Sequence, residues 1–296
     1  MTAVTRPVLR YHGGKFKIAP RILKHFPPHR VYVEPFGGAA SVLMRNPRSD
    51  FEVYNDLDGD VVNVFRVLRD PTQAAELQRL LKLTPWARAE FEAAYEPSDD
   101  PVEHARRTIV RCFMGHGTTS RRKNRTGFRA GSHPHRTGGG FGDWLGYHEA
   151  IPAFVDRLHG VVIEHRDGLE LLARHDAPDT LFYVDPPYPE GTRTSIRGPG
   201  DNDRCYRADM IDDDDHCRLA PALCELEAAV VVSGYPCALY DQELYQGWER
   251  HAFRAMADHG AERVEAIWIK PAGVRMPRPR SFVHSSLLDS MAPDHG

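Results

Sequence analysis

The sequence lacks the features that would place a protein in a membrane, in a secretory pathway or around a metal. No run approaches the roughly 18 apolar residues of a membrane span, and we expect no signal peptide. Its five cysteines are an odd number, and no two of them form a Cys-x-x-Cys pair. This spacing is typical of neither a disulfide framework nor a zinc site. The pattern predicts a cytoplasmic protein with no metal centre.

Two glycine motifs of nucleotide-binding proteins are also missing. The chain has no Gly-x-Gly-x-x-Gly after a strand and no Gly-x-x-x-x-Gly-Lys-Ser/Thr, which argues against a dinucleotide fold and against a P-loop. The 41% hydrophobic and 27% charged residues are ordinary for a soluble globular protein. A length of 296 residues suits one large α/β domain with an insertion, or two small domains.

The chain as a whole has little net charge, but its basic residues are concentrated in one segment. A net charge of −3 argues against a globally basic nucleic-acid binder. Residues 104–136, however, contain no Asp or Glu and nine basic residues: Arg106, Arg107, Arg111, Arg121, Arg122, Lys123, Arg125, Arg129 and Arg136. This distribution indicates either a polyanion-binding surface or a solvated loop.

Short apolar runs alternate with helical patterns, which predicts a doubly wound, mostly parallel α/β sheet. A strand over 31–34, a glycine turn that opens into a helix through Met44, and a second strand over 51–54 form a βαβ unit. Residues 1–70 and 150–296 are predicted to form the main domain, with 71–149 as a mainly helical and loop insertion. Further strand signals lie at 161–163, 181–184, 229–233 and 265–269.

The most informative stretch is Asp185-Pro186-Pro187-Tyr188, which follows the apolar run 181–184. Proline has no backbone N–H and a fixed φ, so two prolines end a strand and leave the flanking carbonyls unpaired. A planar group that bears an amino nitrogen could be bound by these carbonyls, the Asp185 carboxylate and the Tyr188 ring. Taken alone, the same residues can be a strand-ending turn.

Two further segments point to a nucleoside-containing ligand. The turn from Glu34 to Ala39 follows the first strand, where glycines let a ligand approach the backbone. Asp56 follows the next strand, where a carboxylate is well placed to accept both hydroxyls of a ribose. Near the N-terminus, residues 10–15 combine an aromatic residue, paired glycines and Lys15. They form either a flexible leader or a backbone cradle with an ammonium for a carboxylate.

In order and spacing, four of these motifs resemble the Dam-type N6-adenine DNA methyltransferases, which use S-adenosylmethionine. They are residues 11–15, 33–42, 55–56 and 185–188, and the segments 233–235 and 265–271 look like downstream elements of that family. The resemblance covers roughly residues 8–272. It implies a Rossmann-like methyltransferase sheet in which the insertion recognises DNA.

The resemblance also implies roles for individual residues. The methionine end of the cofactor would lie against the glycine turn and Lys15, the ribose against Asp56, and the adenine amino group against Asp167. Asp185 and the Pro186 carbonyl would accept hydrogen bonds from the target adenine, and Tyr188 would stack on its ring. The implied cofactor-binding set is Tyr11, Gly14, Lys15, Glu34, Phe36, Gly37, Asp56, Asp167 and Asp185.

The implied chemistry suits these residue types. An adenine amino nitrogen is a weak nucleophile, and two acceptors on its hydrogens would favour a more tetrahedral and more reactive nitrogen. Transfer would be a direct in-line displacement without metal or covalent intermediate, and the base would be flipped out of the duplex. The expected DNA-binding residues are Arg121, Arg122, Lys123, Asn124, Arg125 and Arg129. The run 115–123 departs from the pattern of GATC-specific members, so the recognition sequence stays open.

Several alternatives remain at this stage. Methylation of an amino group in RNA or protein, or a DNA-binding module with an inactive site, would use the same motifs. We expect the histidines His12, His116, His133 and His135 to be solvated or to contact phosphate rather than to bind a metal. We expect the acidic run 212–215 to be a solvated helix start or linker rather than a site for a divalent ion. Tyr206 falls where family members have a loop that closes over the base. We expect a monomer that acts on double-stranded DNA, with a cognate restriction nuclease as a partner that activity does not require.

Overall fold

The computed structural model describes residues 3–10, 13–116, 126–130, 140–188, 213–256 and 262–279. Within these ranges, seven strands form one sheet in the order β3-β2-β1-β4-β5-β7-β6. The first five strands run parallel, whereas β7 is antiparallel to both β5 and β6. The strands are β1 Val31–Glu34, β2 Phe51–Asn55, β3 Val162–Glu164, β4 Thr180–Val184, β5 Ala229–Gly234, β6 Glu249–Met256 and β7 Glu262–Lys270.

Nine α-helices lie in the described ranges, and aspartates cap several of them. Asp58, Asp70, Asp100 and Asp167 each precede a helix and accept a hydrogen bond from its first-turn backbone N–H. Among the described helices, none is long and apolar enough to cross a membrane. The helices are α1 Ala19–Ile22, α2 Gly59–Arg69, α3 Pro71–Leu83, α4 Arg88–Ala93, α5 Pro101–Met114, α6 Gly140–Leu145, α7 Ile151–Leu158, α8 Gly168–His175 and α9 Asp213–Glu225.

Helices cover both faces of the sheet, because successive side chains of each strand point to opposite faces. Tyr32 and Tyr54 point into a core built with α2, α3, α5 and α7. Their neighbours Val33 and Val53 point into a second core, built with α8, α9 and β7. The predicted doubly wound α/β architecture is confirmed.

The strands predicted from apolar runs are present, but two local features differ from expectation. The helix expected through Met44 is wrong, since residues 35–46 form consecutive turns. Gly38 and Ala40 have φ values of 48° and 50°, so the left-handed backbone of the glycine turn extends to residue 40, and only turns follow it. The edge strand β6 was not predicted.

The start of the basic segment is neutralised within the fold. Arg106 pairs with Glu103 and Glu90, and Arg107 pairs with Glu103, both at 2.7–2.9 Å. Arg111 lies 3.0 Å from Asp60 on α2. Arg106 and Arg111 therefore join α5 to α4 and α2, whereas the ion pair of Arg107 with Glu103 lies within α5. The division of the chain at residues 71–149 stays a prediction, since α3 and α5 share one core with the strands.

Lys270 ends β7 and is completely buried. Its Nζ donates to the backbone carbonyls of Leu226 and Ala228, both at 2.8 Å, and to that of Val274 at 3.0 Å. These residues lie before β5 and after β7. The ammonium therefore ties the end of β7 to the start of β5 through backbone groups alone.

Candidate active site

A cavity of about 350 Å³ opens at the carboxyl ends of β1, β2 and β4. This is the edge at which open parallel sheets bind ligands. Its lining joins segments that lie far apart in the sequence: Gly13 to Lys15, Glu34 to Ala39, Asp56 to Asp58, Asp167 to Leu169, and Asp185 to Tyr188. The structure thus brings together most of the site residues expected from the sequence.

The glycine turn is tight because it lies against the ring of Tyr54. A Cβ added to Gly37 would lie 2.5 Å from Cδ2 and 2.8 Å from Cζ of that ring, and closer still to Cε2. The Tyr54 hydroxyl donates to the Gly38 carbonyl at 2.6 Å, and the Gly37 N–H donates to the Asn55 carbonyl at 2.8 Å. Only glycine fits this close approach, which fixes the wall of the cavity.

Glu34 lies buried at the end of β1 and supports the turn. Its Oε1 accepts from the Tyr32 hydroxyl at 2.7 Å and from the Leu43 N–H at 2.6 Å. Burial raises the pKa of Glu34 to about 8, although both hydrogen bonds act in the opposite direction. A carboxyl group that is largely protonated at neutral pH suits a structural role in this turn.

Asp56 joins β2 to the glycine turn. Its two oxygens accept from the backbone N–H groups of Gly38 and Asp58, each at 2.7 Å. Burial and the nearby Asp58 carboxylate raise the pKa of Asp56 to about 6, against the lowering effect of these hydrogen bonds. Each carboxylate oxygen has a second lone pair, so the group can still accept ligand hydroxyls.

Phe36 and Asp167 lie on the side of the cavity formed by α8. A Cβ on Gly168 would lie 2.7 Å from Cζ of Phe36, so the Phe36 ring rests directly on the helix backbone. Asp167 is exposed, and its Oδ1 accepts from the Leu169 N–H at 2.8 Å as the cap of α8. Leu57, 40% exposed, also lines the cavity. Apolar side chains with one polar acceptor suit a planar heterocycle.

Lys15 is the centre of a buried polar cluster. Its Nζ lies 3.0 and 3.1 Å from the two oxygens of Asp185, and it donates to the Gly13 carbonyl at 2.8 Å and to the Tyr188 hydroxyl. The same Nζ lies 3.8 Å from Oε2 of Glu265. Burial lowers the pKa of Lys15, but Asp185 and Glu265 outweigh it, and the net shift is upward. Burial raises the pKa of both carboxyls, and Lys15 offsets part of that rise.

Tyr188 is only 6% exposed. The Tyr235 ring packs on it with centroids 4.4 Å apart, and a Cβ on Gly13 would lie 3.5 Å from its ring edge. Its hydroxyl donates to Glu265 at 3.3 Å. A base that stacks on Tyr188 must therefore displace one of these neighbours.

Some predicted residues lie outside the described part of the chain: Tyr11, Arg121, Arg122, Lys123, Asn124, Arg125 and Tyr206. Arg129 lies within it and donates from Nε to the Gly115 carbonyl at 2.5 Å. Gly14 is exposed at the cavity mouth. Sequence reasoning did not assign roles to Glu265 or Tyr235. Among the described residues, no cluster of three metal-binding side chains occurs.

Comparison with known proteins gives a consistent answer. Residues 11–125 match the family model of the D12 class N6 adenine-specific DNA methyltransferases. A DNA adenine methylase of Vibrio cholerae is 38% identical over 71 residues, which are 23% of this chain and 24% of the relative. The corresponding Haemophilus influenzae protein is 37% identical over 67 residues, 22% of each chain. These two matches each span about a quarter of the relative's length.

A longer match extends over most of the chain. The DNA adenine methylase of Escherichia coli K12 is 23% identical over 276 residues, which are 87% of this chain and 91% of the relative. The chain is thus similar to the D12 class N6 adenine-specific DNA methyltransferases over residues 11–125, and to a DNA adenine methylase over most of its length.

Proposed function

We propose that the protein transfers a methyl group from S-adenosylmethionine to the N6 amino group of adenine in double-stranded DNA. The observation that supports this proposal is that two half-sites lie in one cavity. Asp56 and the glycine turn form one half, and Asp185 to Tyr188 form the other. The first half offers acceptors and close backbone approach for a nucleoside, whereas the second offers a carboxylate and an aromatic ring.

The residues present fit S-adenosylmethionine. Asp56 has free lone pairs for the ribose hydroxyls, Asp167 and Leu57 border a slot for the adenine ring, and the turn at Gly37 admits no side chain. This cofactor supplies a methyl group on a positively charged sulfur. The cluster around Lys15 contains two carboxyls and one ammonium, so it can favour a nearby cation when both carboxyls are ionised.

Asp185 and the Pro186 carbonyl are proposed to hold the two hydrogens of the target amino group, which makes the nitrogen lone pair available. Tyr188 is proposed to stack on the flipped base. In the described structure, Lys15 occupies both oxygens of Asp185. Each Asp185 oxygen has a second lone pair, but the amino group must share this carboxylate with Lys15 when the base is inserted.

DNA contact is proposed for the segment around residues 121–129, although Arg129 has an internal hydrogen bond. Its composition supports phosphate binding, since residues 117–136 contain only basic charges. A cytoplasmic location, a monomeric state and a cognate restriction nuclease stay predictions of the sequence.

The direct test is transfer of tritium from labelled S-adenosylmethionine to duplex DNA by the purified chain. Sequencing DNA from expressing cells, with single-molecule detection of methyladenine, would identify the recognition sequence. Asp185→Ala should abolish transfer and leave DNA affinity within about tenfold, because Asp185 lies in the cavity rather than in the basic segment. Label in RNA or protein but not in DNA, or full turnover by the variant, would contradict the proposal.

A further inference from the structure

Glu265 is a buried carboxylate of the site to which none of the sequence motifs assigns a role. It lies on β7, whose antiparallel direction brings this end of the strand beside the carboxyl end of β5, with Ala266 paired to Gly234. Its side chain is 9% exposed, and its Oε2 accepts from the Tyr188 hydroxyl at 3.3 Å and lies 3.8 Å from Nζ of Lys15. A carboxylate so buried requires a partner, and these two groups supply it.

The position of Lys15 creates a conflict with the proposed reaction. Its ammonium contacts both oxygens of Asp185, which is the group that the adenine amino hydrogens need. A buried ammonium cannot leave one carboxylate without finding another acceptor. Glu265 is that acceptor, because a movement of Nζ by about 1 Å would shorten its distance to Oε2 to that of a charge-assisted hydrogen bond.

We propose that Glu265 is a positioning residue that takes over Lys15 when the target adenine engages Asp185. This inference rests on the proposed function. Before base insertion, Lys15 neutralises Asp185 and prevents two buried carboxylates from facing each other uncompensated. During insertion, Lys15 moves toward Glu265 and leaves acceptor capacity on Asp185. Glu265 also keeps the Tyr188 hydroxyl in place, so both parts of the base pocket depend on it.

The charges of this cluster favour an exchange of Lys15 between Asp185 and Glu265 over a permanent ion pair between Lys15 and Asp185. One ammonium is shared by two carboxyls, and each of them shows a pKa raised by burial and lowered by Lys15. An amino group that donates to Asp185 stabilises this carboxylate without adding charge. The ammonium of Lys15 then pairs with Glu265, on which Arg263 also acts, and the cluster keeps the same net charge before and after insertion.

The test compares duplexes that carry, at the methylated site found by sequencing, either adenine or purine, which lacks the amino group. Dissociation constants are measured with the wild-type chain and with Glu265→Gln, in the presence of sinefungin. In Glu265→Gln, the alternative acceptor is a neutral amide oxygen, which holds an ammonium less strongly than a carboxylate does, so Lys15 stays mainly on Asp185. We expect the ratio of the two constants to shift by roughly 5–10-fold against adenine, and kcat to fall roughly 10–100-fold.

A double-mutant cycle separates this role from a structural one. In the Lys15→Met background, Glu265→Gln should change the adenine-to-purine ratio by less than about twofold, because no ammonium remains to be moved. Glu265→Asp keeps a carboxylate and should lie between wild type and Glu265→Gln. Glu227→Gln, on the exposed residue before β5, is the matched control and should behave as wild type. All dissociation constants are measured at saturating sinefungin, because loss of a carboxylate from the cluster also weakens its attraction for a cationic cofactor.

The outcomes are distinguishable. If the wild-type chain methylates no duplex, the proposed function fails. If it methylates DNA but Glu265→Gln leaves the adenine-to-purine ratio unchanged, or shifts it equally in the Lys15→Met background, the inference about Glu265 is overturned while the proposed function stands.

Discussion

Replacement of Gly37 by alanine tests whether the glycine turn is as closely packed as the structure indicates. The added Cβ would lie 2.5 and 2.8 Å from two atoms of the Tyr54 ring, distances that real Cβ atoms do not adopt. The ring cannot retreat easily, because it is fully buried and packs on Phe65 with centroids 4.3 Å apart. A shift would also break the hydrogen bond from the Tyr54 hydroxyl to the Gly38 carbonyl.

The magnitude follows from these two costs. Overpacking of a closed core costs about 1–3 kcal/mol, and loss of one hydrogen bond costs about 1 kcal/mol. We expect Gly37→Ala to lower the free energy of unfolding by about 3 kcal/mol, which corresponds to a fall in Tm of roughly 6–12 °C. Because the turn forms a wall of the cavity, the rise in Tm on addition of S-adenosylmethionine should also be smaller than in wild type.

The assay is thermal and urea unfolding of both proteins, with and without the cofactor. Gly142→Ala is the matched control, since a Cβ at Gly142 meets no atom within 4 Å and the residue lies inside α6. That variant should be unchanged or more stable by up to about 1 kcal/mol. If Gly37→Ala unfolds with the wild-type Tm and binds the cofactor normally, the close packing of this turn is refuted.

Three further predictions concern charge. Lys15→Met should destabilise the fold by about 3 kcal/mol at pH 8 and by less at pH 5. Without Lys15, the carboxyls of Asp185 and Glu265 have pKa values raised above those of the unfolded chain, so the stability of the variant falls as the pH rises through these values. An equal loss of unfolding free energy at pH 5 and pH 8 in urea titrations would contradict this. Affinity for S-adenosylmethionine should rise by up to about tenfold from pH 5 to pH 7, because Asp56, with a pKa of about 6, accepts hydroxyls more strongly when it is ionised. Calorimetry with Asp56→Asn should lack this step. Replacing Arg121, Arg122 and Lys123 by alanine should reduce the salt slope of DNA affinity by up to ~0.9 per lost phosphate contact, and an unchanged slope would rule out this contact.

The sequence predicts the central strands because they are buried on both faces and read as continuous apolar runs. The strand over residues 180–184 is fully buried along its length. β6 is not predicted by this reasoning, since an edge strand with a single neighbour has charged residues such as Glu249 and Arg250 and no apolar run. The turns after β1 were mistaken for a helix because Ala40, unlike glycine, gives no sign of its left-handed backbone.

The candidate site also contains some residues that the sequence predicts and others that it does not. Gly37, Asp56 and Asp185 are predictable because each follows a parallel strand, and the carboxyl ends of parallel strands meet at one edge of the sheet. Glu265 stands near the start of its strand and joins them only because β7 runs antiparallel, which no local pattern reveals. The pairing of Arg106 and Arg107 with Glu103 was missed because the acid lies one residue before the basic window.

The buried ammonium of Lys270 limits the insertions and deletions that this chain can tolerate. It fixes one end of β7, and Glu265 lies five residues away, a rise of roughly 17 Å. Because side chains alternate between faces, insertion or deletion of a single residue between the two would turn the carboxylate away from Lys15 while the strand remained paired. The number of residues from 265 to 270 is therefore fixed by the active site, although only Glu265 lies in that site.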